Sequence, residues 1–266
     1  MSRMSRKELE RFTHVSNFTR YMSIVGSIVV GSGRAGLEIL DVPAGNGLLA
    51  EQLRSRGHRV TCADINSARP EYVFSDMERP LPFGDSSFDA VICLEGIEHV
   101  IDSYALVREF SRILRPGGFV VVSLPNVQAF YSRLEFLLTG TFYGFEPEGP
   151  RHPRGRLMDR GHVSPLSLVQ LNYLFGEFGL SPTMVTGDRV KKHILVPLYL
   201  VLWPLNVLLG ELRSRRCGRA DVRRLYRLLT GFRALTGRTL ITVWEQRDGE
   251  EDVAAGGAAR FDDPKA

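Results

Sequence analysis

The chain has 266 residues, 44% hydrophobic and 24% charged, with a net charge of +4 at neutral pH. That length can bury a full core in one domain, and near-average apolar and charged shares exclude wholesale disorder. Three cysteines, an odd number with no C-x-x-C pair, exclude a disulfide framework and a cysteine zinc site, and point to a reducing compartment. The opening MSRMSRKELERF is basic but lacks the apolar stretch and cleavage site of an export signal, so a cytoplasmic location is expected.

Leu37 to Val42 is a short apolar run carrying Asp41, followed by the turn-forming Pro43, Ala44, Gly45, Asn46 and Gly47. This predicts strand, loop and then a helix from Leu48 to Ser55 that ends near Gly57. HRVTCAD supplies a second strand ending at Asp64, and EYVF a short third strand leading into Ser75, Asp76 and Met77. Phe88 to Leu94 (FDAVICL) is a continuous apolar run of the kind buried in a parallel sheet. A helix from Tyr104 to Leu114 follows; Arg115 to Gly118 should break it, and FVVVSLP should form a fifth strand. Such alternation predicts a doubly wound α/β sheet.

Past Pro125 a Gly, Pro and Arg rich stretch reaching His162 is too long for an ordinary connector and reads as a substrate-side insertion. Ser164 to Phe178 is expected to be a helix with Ser164 and Pro165 as cap and first turn. Ser181 to Thr186 and RTLITVWEQR complete seven strands. One domain is therefore expected over residues 1–246, with a disordered tail over 247–266.

The glycines let backbone approach a ligand, and the following helix offers free N–H groups to it. Gly45 to Ala50 also satisfies G-x-G-x-x-G/A with Asp64 at the spacing of a ribose-binding acid, so a nicotinamide oxidoreductase stays open on the loop alone. Asp41 weighs against it, since a carboxylate there neutralises the ammonium of an amino-acid-bearing cofactor but repels a pyrophosphate. At this point the chain resembles the class I S-adenosylmethionine-dependent methyltransferases, in particular the ubiquinone O-methyltransferase-like domain. The first motif of that family, D/E-x-G-x-G-x-G, stands here as Asp41 to Gly47, with Pro43 in place of the first glycine. LPFGDSSFDAVICLEGIEHV and RILRPGGFVVVSLPN resemble its fourth and fifth strand blocks. The resemblance implies a Rossmann-like sheet, mostly parallel with an antiparallel last strand. It also implies S-adenosyl-L-methionine contacts from Asp41, Ala44, Gly45, Asn46, Gly47, Asp64, Asp76, Met77 and Leu94.

Methyl transfer from a sulfonium is an in-line displacement, so the protein chiefly aligns the acceptor and removes its proton. Glu95, Glu98 and His99 form E-x-x-E-H after the fourth strand, and the two acids could share a helical face. The pattern resembles one that holds a divalent metal such as Mg in ubiquinone-type and small-RNA O-methyltransferases; the alternative is that Glu98 and His99 begin a solvated helix. His162 is a second candidate, as general base or further ligand, so His99, His162 and Glu95 are the catalytic candidates. A non-catalytic module that merely binds the cofactor is a further alternative.

The sixth and seventh strands are separated by an insert over residues 188–237, too long for a hairpin. Within it ILVPLYLVLWPLNVLL, Ile194 to Leu209, is shorter than the about twenty residues of a bilayer span and carries Pro197 and Pro204, so crossing is not expected. Its flanks are basic, and a following helix from Arg219 to Arg233 should continue the basic face. The segment over residues 191–216 therefore reads either as a peripheral contact with anionic lipid at the inner face of the membrane, or as extra core or a dimer surface. An O-methylated acceptor that is small, lipid, quinone or lipid-linked glycan would fit the first reading. Without an aromatic-basic stacking pattern, nucleic acid is not expected as a partner.

Overall fold

A computed structural model describes residues 15, 17–66, 69–147 and 161–246. The expected tail over 247–266 and part of the loop after Pro125 lie outside the described residues. Seven strands, β1 (Glu38–Asp41), β2 (Arg59–Asp64), β3 (Val73–Phe74), β4 (Phe88–Leu94), β5 (Leu114–Pro125), β6 (Leu180–Gly187) and β7 (Thr239–Gln246), form one sheet in the order β3-β2-β1-β4-β5-β7-β6. Only β7 runs against its neighbours; β6 is antiparallel to β7 and so points the same way as β5. The helices are α1 (Arg20–Gly31), α2 (Leu48–Ser55), α3 (Ser103–Ile113), α4 (Phe130–Thr139), α5 (Leu168–Gly176), α6 (Val196–Cys217), α7 (Ala220–Leu229) and α8 (Phe232–Thr236).

Side chains alternate across each strand, and here both faces are covered, which is why the strands read as continuous apolar runs. Ile39, Ile92, Val121 and Ile241 pack under α1 and α2, against Val25, Val29, Leu49 and Leu53. On the opposite face Leu40, Val91, Val120 and Trp244 meet α3 and α5 through Phe110 and Phe175. The Phe175 and Trp244 rings stack with centroids 4.6 Å apart, and the indole N–H donates to Thr242 Oγ1 at 2.8 Å.

Several boundaries differ from expectation for identifiable reasons. Leu114 already pairs with Phe88, so β5 begins before Arg115 and absorbs Arg115 to Gly118 as an irregularity between Phe88 and Ala90, where a helix-breaking loop was expected. The helix after the insertion starts at Leu168: the Ser167 side chain accepts from Gln170 N and the Gln170 side chain accepts from Ser167 N, a reciprocal cap that Ser164 and Pro165 do not make. The expected helix over 219–233 is two helices, α7 and α8, parted at Thr230 and Gly231. Pro204 does not interrupt the insert helix. With Pro197 in its first turn, where proline costs no hydrogen bond, α6 runs unbroken through Pro204 and, with the preceding turn from His193, gives a 25-residue apolar helix. That helix is long enough by length and composition to cross a bilayer, which corrects the expectation of a run too short.

Candidate active site

Parallel neighbours open their C-terminal ends along one edge, the place where such sheets bind ligands. Asp41 ends β1, Asp64 ends β2, Asp76 and Met77 follow β3, and Leu94 ends β4, so the predicted cofactor residues converge on that edge. The Gly45 N–H donates to Asp64 Oδ2 at 2.8 Å, and the Asn66 N–H to Asp64 Oδ1 at 2.9 Å, which binds the loop after β1 to the end of β2. Ala44 N–H reaches Ala63 O at 2.9 Å and seals the same junction. Gly47 has φ of 72°, and a Cβ there would collide with the Tyr72 hydroxyl, so the position needs glycine on both counts. Pro43, where the family motif has glycine, follows a cis peptide bond from Val42. Asn46 serves the loop itself: its amide donates to Val15 O at 2.8 Å and its carbonyl oxygen accepts from Leu48 N at 3.1 Å. Asp76 accepts from Glu78 N at 3.0 Å and pairs with Arg79.

The electrostatics at this loop suit a cationic ligand. Asp41 is only 3% exposed, and burial, reinforced by Asp64 and eased by Arg54, pushes its carboxyl up to about 7. Burial also raises Asp64, against the hydrogen bonds from Asn66 and Gly45. Two buried acids at neighbouring strand ends gain from an ammonium or sulfonium beside them and would repel a pyrophosphate.

Beyond β4 lies the turn that carries the catalytic candidates. Glu95 sits at φ of 48°, a left-handed conformation that turns the chain sharply, and its Oε1 accepts from Ser123 Oγ at 2.9 Å. Gly96 follows because a Cβ would collide with Pro43. Ile97–His99 is a single 3-10 turn rather than the start of a helix, so Glu95 and Glu98 do not share a helical face. Nor does Glu98 begin a solvated helix: it is fully buried. Val163 N and Ser164 N both donate to Glu98 O at 2.9 Å, and Ser164 Oγ to Val100 O at 2.6 Å, drawing the segment before α5 onto this turn. As a result the His99 and His162 rings meet edge to face at 4.8 Å, and ligand atoms of Glu98, His99 and His162 lie within 4.8 Å of one another. Glu95 is not one of that cluster, which joins Glu98 and His99 to His162, the further ligand that the sequence suggests. His162 Nδ1 faces Gly144 O at 2.5 Å, which places the acceptor lone pair of the neutral ring on Nε2.

Burial raises the Glu95 carboxyl above its ordinary range, opposed by the Ser123 hydrogen bond and by Arg238 and His99, and aided by Asp188. Tyr21, brought from α1, is pushed up to about 12 by burial and by Glu95. Sequence reasoning missed Tyr21, Ser123, Asp188 and Arg238. Ser123 carried a signal, as the one hydroxyl inside FVVVSLP; the others come from remote segments.

A family profile described as a methyltransferase domain matches residues 40–122. Over these residues the chain is similar to a methyltransferase domain, with β6 and β7 lying beyond the match. The chain is 35% identical over 106 residues to the ubiquinone biosynthesis O-methyltransferase of Xanthomonas oryzae, and 36% over 108 residues to that of Alkalilimnicola ehrlichii. Each match takes in 35% of this chain and 44% of the relative, so the chain spans less than half the length of the curated relatives it matches. Among solved structures, a chain from a Haloferax volcanii complex of a methyltransferase activator with a methyltransferase is similar, with a TM-score of 0.50 at 15% identity, covering 91% of this chain and 93% of that one. That likeness shows the fold, and the matched segment covers the loop after β1 through most of β5.

Proposed function

We propose that the protein transfers the methyl group of S-adenosyl-L-methionine to a hydroxyl oxygen of a small acceptor. The observation that carries this reading is the pairing of two buried acids, Asp41 and Asp64 at neighbouring strand ends, with a turn after β4 that carries Glu95 and brings Glu98 and His99 to His162. The first half suits a cationic donor; the second supplies groups able to take a proton from the acceptor. In this reading Ala44, Gly45, Gly47, Met77 and Leu94 shape the cofactor cleft, Asp64 meets the ribose hydroxyls and Asp76 the adenine. Glu95, His99 and His162 face the acceptor. The donor set of one carboxylate and two imidazoles suits a borderline divalent ion better than Mg, which prefers oxygen ligands. If bound, such an ion would polarise the acceptor hydroxyl; the protein's own part is to hold Glu98 buried and His162 oriented through Gly144.

The acceptor is proposed to be apolar: a quinone, lipid or lipid-linked glycan reached at a membrane surface. Support comes from the insert over 188–237, which leaves the end of β6 at the acceptor side and exposes leucines on α6. Incubating the purified chain with methyl-labelled S-adenosylmethionine and membrane lipid extracts should move label into an organic-soluble product. Cofactor binding by calorimetry without any labelled product from lipid or polar extracts would refute methyl transfer and leave a binding module.

A further inference from the structure

The insert's helix α6 is long enough to cross a bilayer: 22 residues at about 1.5 Å each exceed a hydrocarbon core of about 30 Å. Its packing argues otherwise. α7 turns back along the second half of α6, where a Cβ at Gly210 would touch Thr230 Cγ2 at 2.9 Å. Trp203 Nε1 donates to Thr230 O at 2.8 Å and its ring meets Phe232 at 5.5 Å. α7 carries exposed Arg223, Arg224 and Arg227. A crossing α6 would drag these arginines into hydrocarbon, a heavy cost for each.

α6 leaves much of its apolar surface uncovered: Leu200, Val207 and Leu209 are exposed, and one continuous row runs along the helix beside them. Ile194, Leu198, Val201, Leu205, Leu208 and Leu212, spaced alternately four and three residues apart, are all exposed large apolar side chains. A shallow groove of about 400 Å³ on the same helix is lined by Trp203, Pro204, Val207 and Leu208, with Glu211 at one end. A stripe of this spacing could also serve a helix of a second copy, but charge decides against that. Between Asp188 and Asp221 the only acid is Glu211, already paired with Arg215 at 2.9 Å, against seven lysines and arginines. Two copies would set like charges together, whereas anionic headgroups complement them. α4 adds a second apolar element: Phe130 stacks on Tyr199 at 5.7 Å, joining the two helices, and Leu137 and Leu138 further along α4 are 79% and 74% exposed.

Building on the membrane reading above, we propose that α6 lies in the plane of an anionic bilayer without crossing it. Its stripe from Ile194 to Leu212 enters the acyl boundary, and the arginines of α7 sit among anionic headgroups. Leu137 and Leu138 make a second contact beside the acceptor side of the sheet.

The test uses the full chain with vesicles of phosphatidylcholine alone or mixed with phosphatidylglycerol. Trp203 reports depth through quenching by brominated lipids, because the only other tryptophan, Trp244, is fully buried. The wild type should float with the anionic vesicles and be quenched most by bromines near the headgroup. V201D/L208D, at exposed positions that leave the core intact, should abolish flotation with an unchanged melting curve. R223Q/R224Q/R227Q should weaken binding on the order of a hundredfold. Strongest quenching by bromines at the bilayer centre overturns the in-plane assignment, as does binding that survives V201D/L208D; both leave the membrane reading standing. No flotation of the wild type overturns both. A wild-type dimer by sedimentation that V201D/L208D dissolves, without vesicle binding, assigns the stripe to a second copy and overturns the proposal.

Discussion

Replacing Asp41 with Asn tests whether a binding group here is held at the expense of stability. Asp41 ends β1 with 3% exposure, and its carboxyl is displaced from an ordinary 3.8 to about 7, chiefly by burial and then by Asp64. A displacement of that size corresponds to roughly 4 kcal/mol. Because the folded value lies above the unfolded one, the carboxylate penalises the fold. The penalty is absent below 3.8, grows as pH rises, and is complete above about 7. D41N keeps the shape without the charge. The ligand-free variant should therefore be more stable than the parent above pH 7, by up to that amount, with the gap closing on acidification. Its affinity for S-adenosylmethionine should fall at least about tenfold, since the cation loses its partner. Denaturant titrations across this pH range, with calorimetry of the cofactor, measure both. A variant no more stable than the parent above pH 7, or a gap that does not narrow toward 3.8, would refute the argument.

His99→Ala should lower turnover by about a hundredfold or more with cofactor affinity nearly unchanged; equal losses in both would remove His99 from the chemistry. Ser123→Ala removes a hydrogen bond that favours ionised Glu95, so the carboxyl rises further and the acid limb of the pH–rate profile should move up by about one pH unit. An unmoved limb would show that Glu95 does not govern it. Gly96→Ala drives a methyl into Pro43 and should cost about 1–3 kcal/mol of stability in denaturant melts, together with activity, because Glu95 turns the chain at the neighbouring position. An unchanged melt would mean the loop after β1 yields freely.

The sheet was legible in the sequence because strands buried on both faces must be apolar along their length. β4 and α2 fall within the boundaries that composition and turn residues predict, and the expected antiparallel last strand is present. α1 was not legible: its apolar positions mean little until α2 and the sheet give them something to pack against. The common edge of Asp41, Asp64, Asp76 and Leu94 was equally readable, since these residues lie at or after the ends of successive parallel strands. On the other side of the site the residue types Glu98, His99 and His162 were legible, but their meeting was not. His162 joins Glu98 and His99 only because two backbone N–H groups bind the carbonyl of Glu98 across more than sixty residues of chain.

By itself, then, the sequence determined the α/β class, the strand order of chemistry from Asp41 to Leu94, and an apolar basic insert after β6. Tertiary packing alone decided that Glu98 is buried, that Glu95 stands apart from the histidine cluster, and that α6 is one unbroken helix flanked by α7. Those outcomes depend on which remote groups satisfy each buried polar atom and cover each apolar face, and a local pattern of residues carries no record of its remote partners.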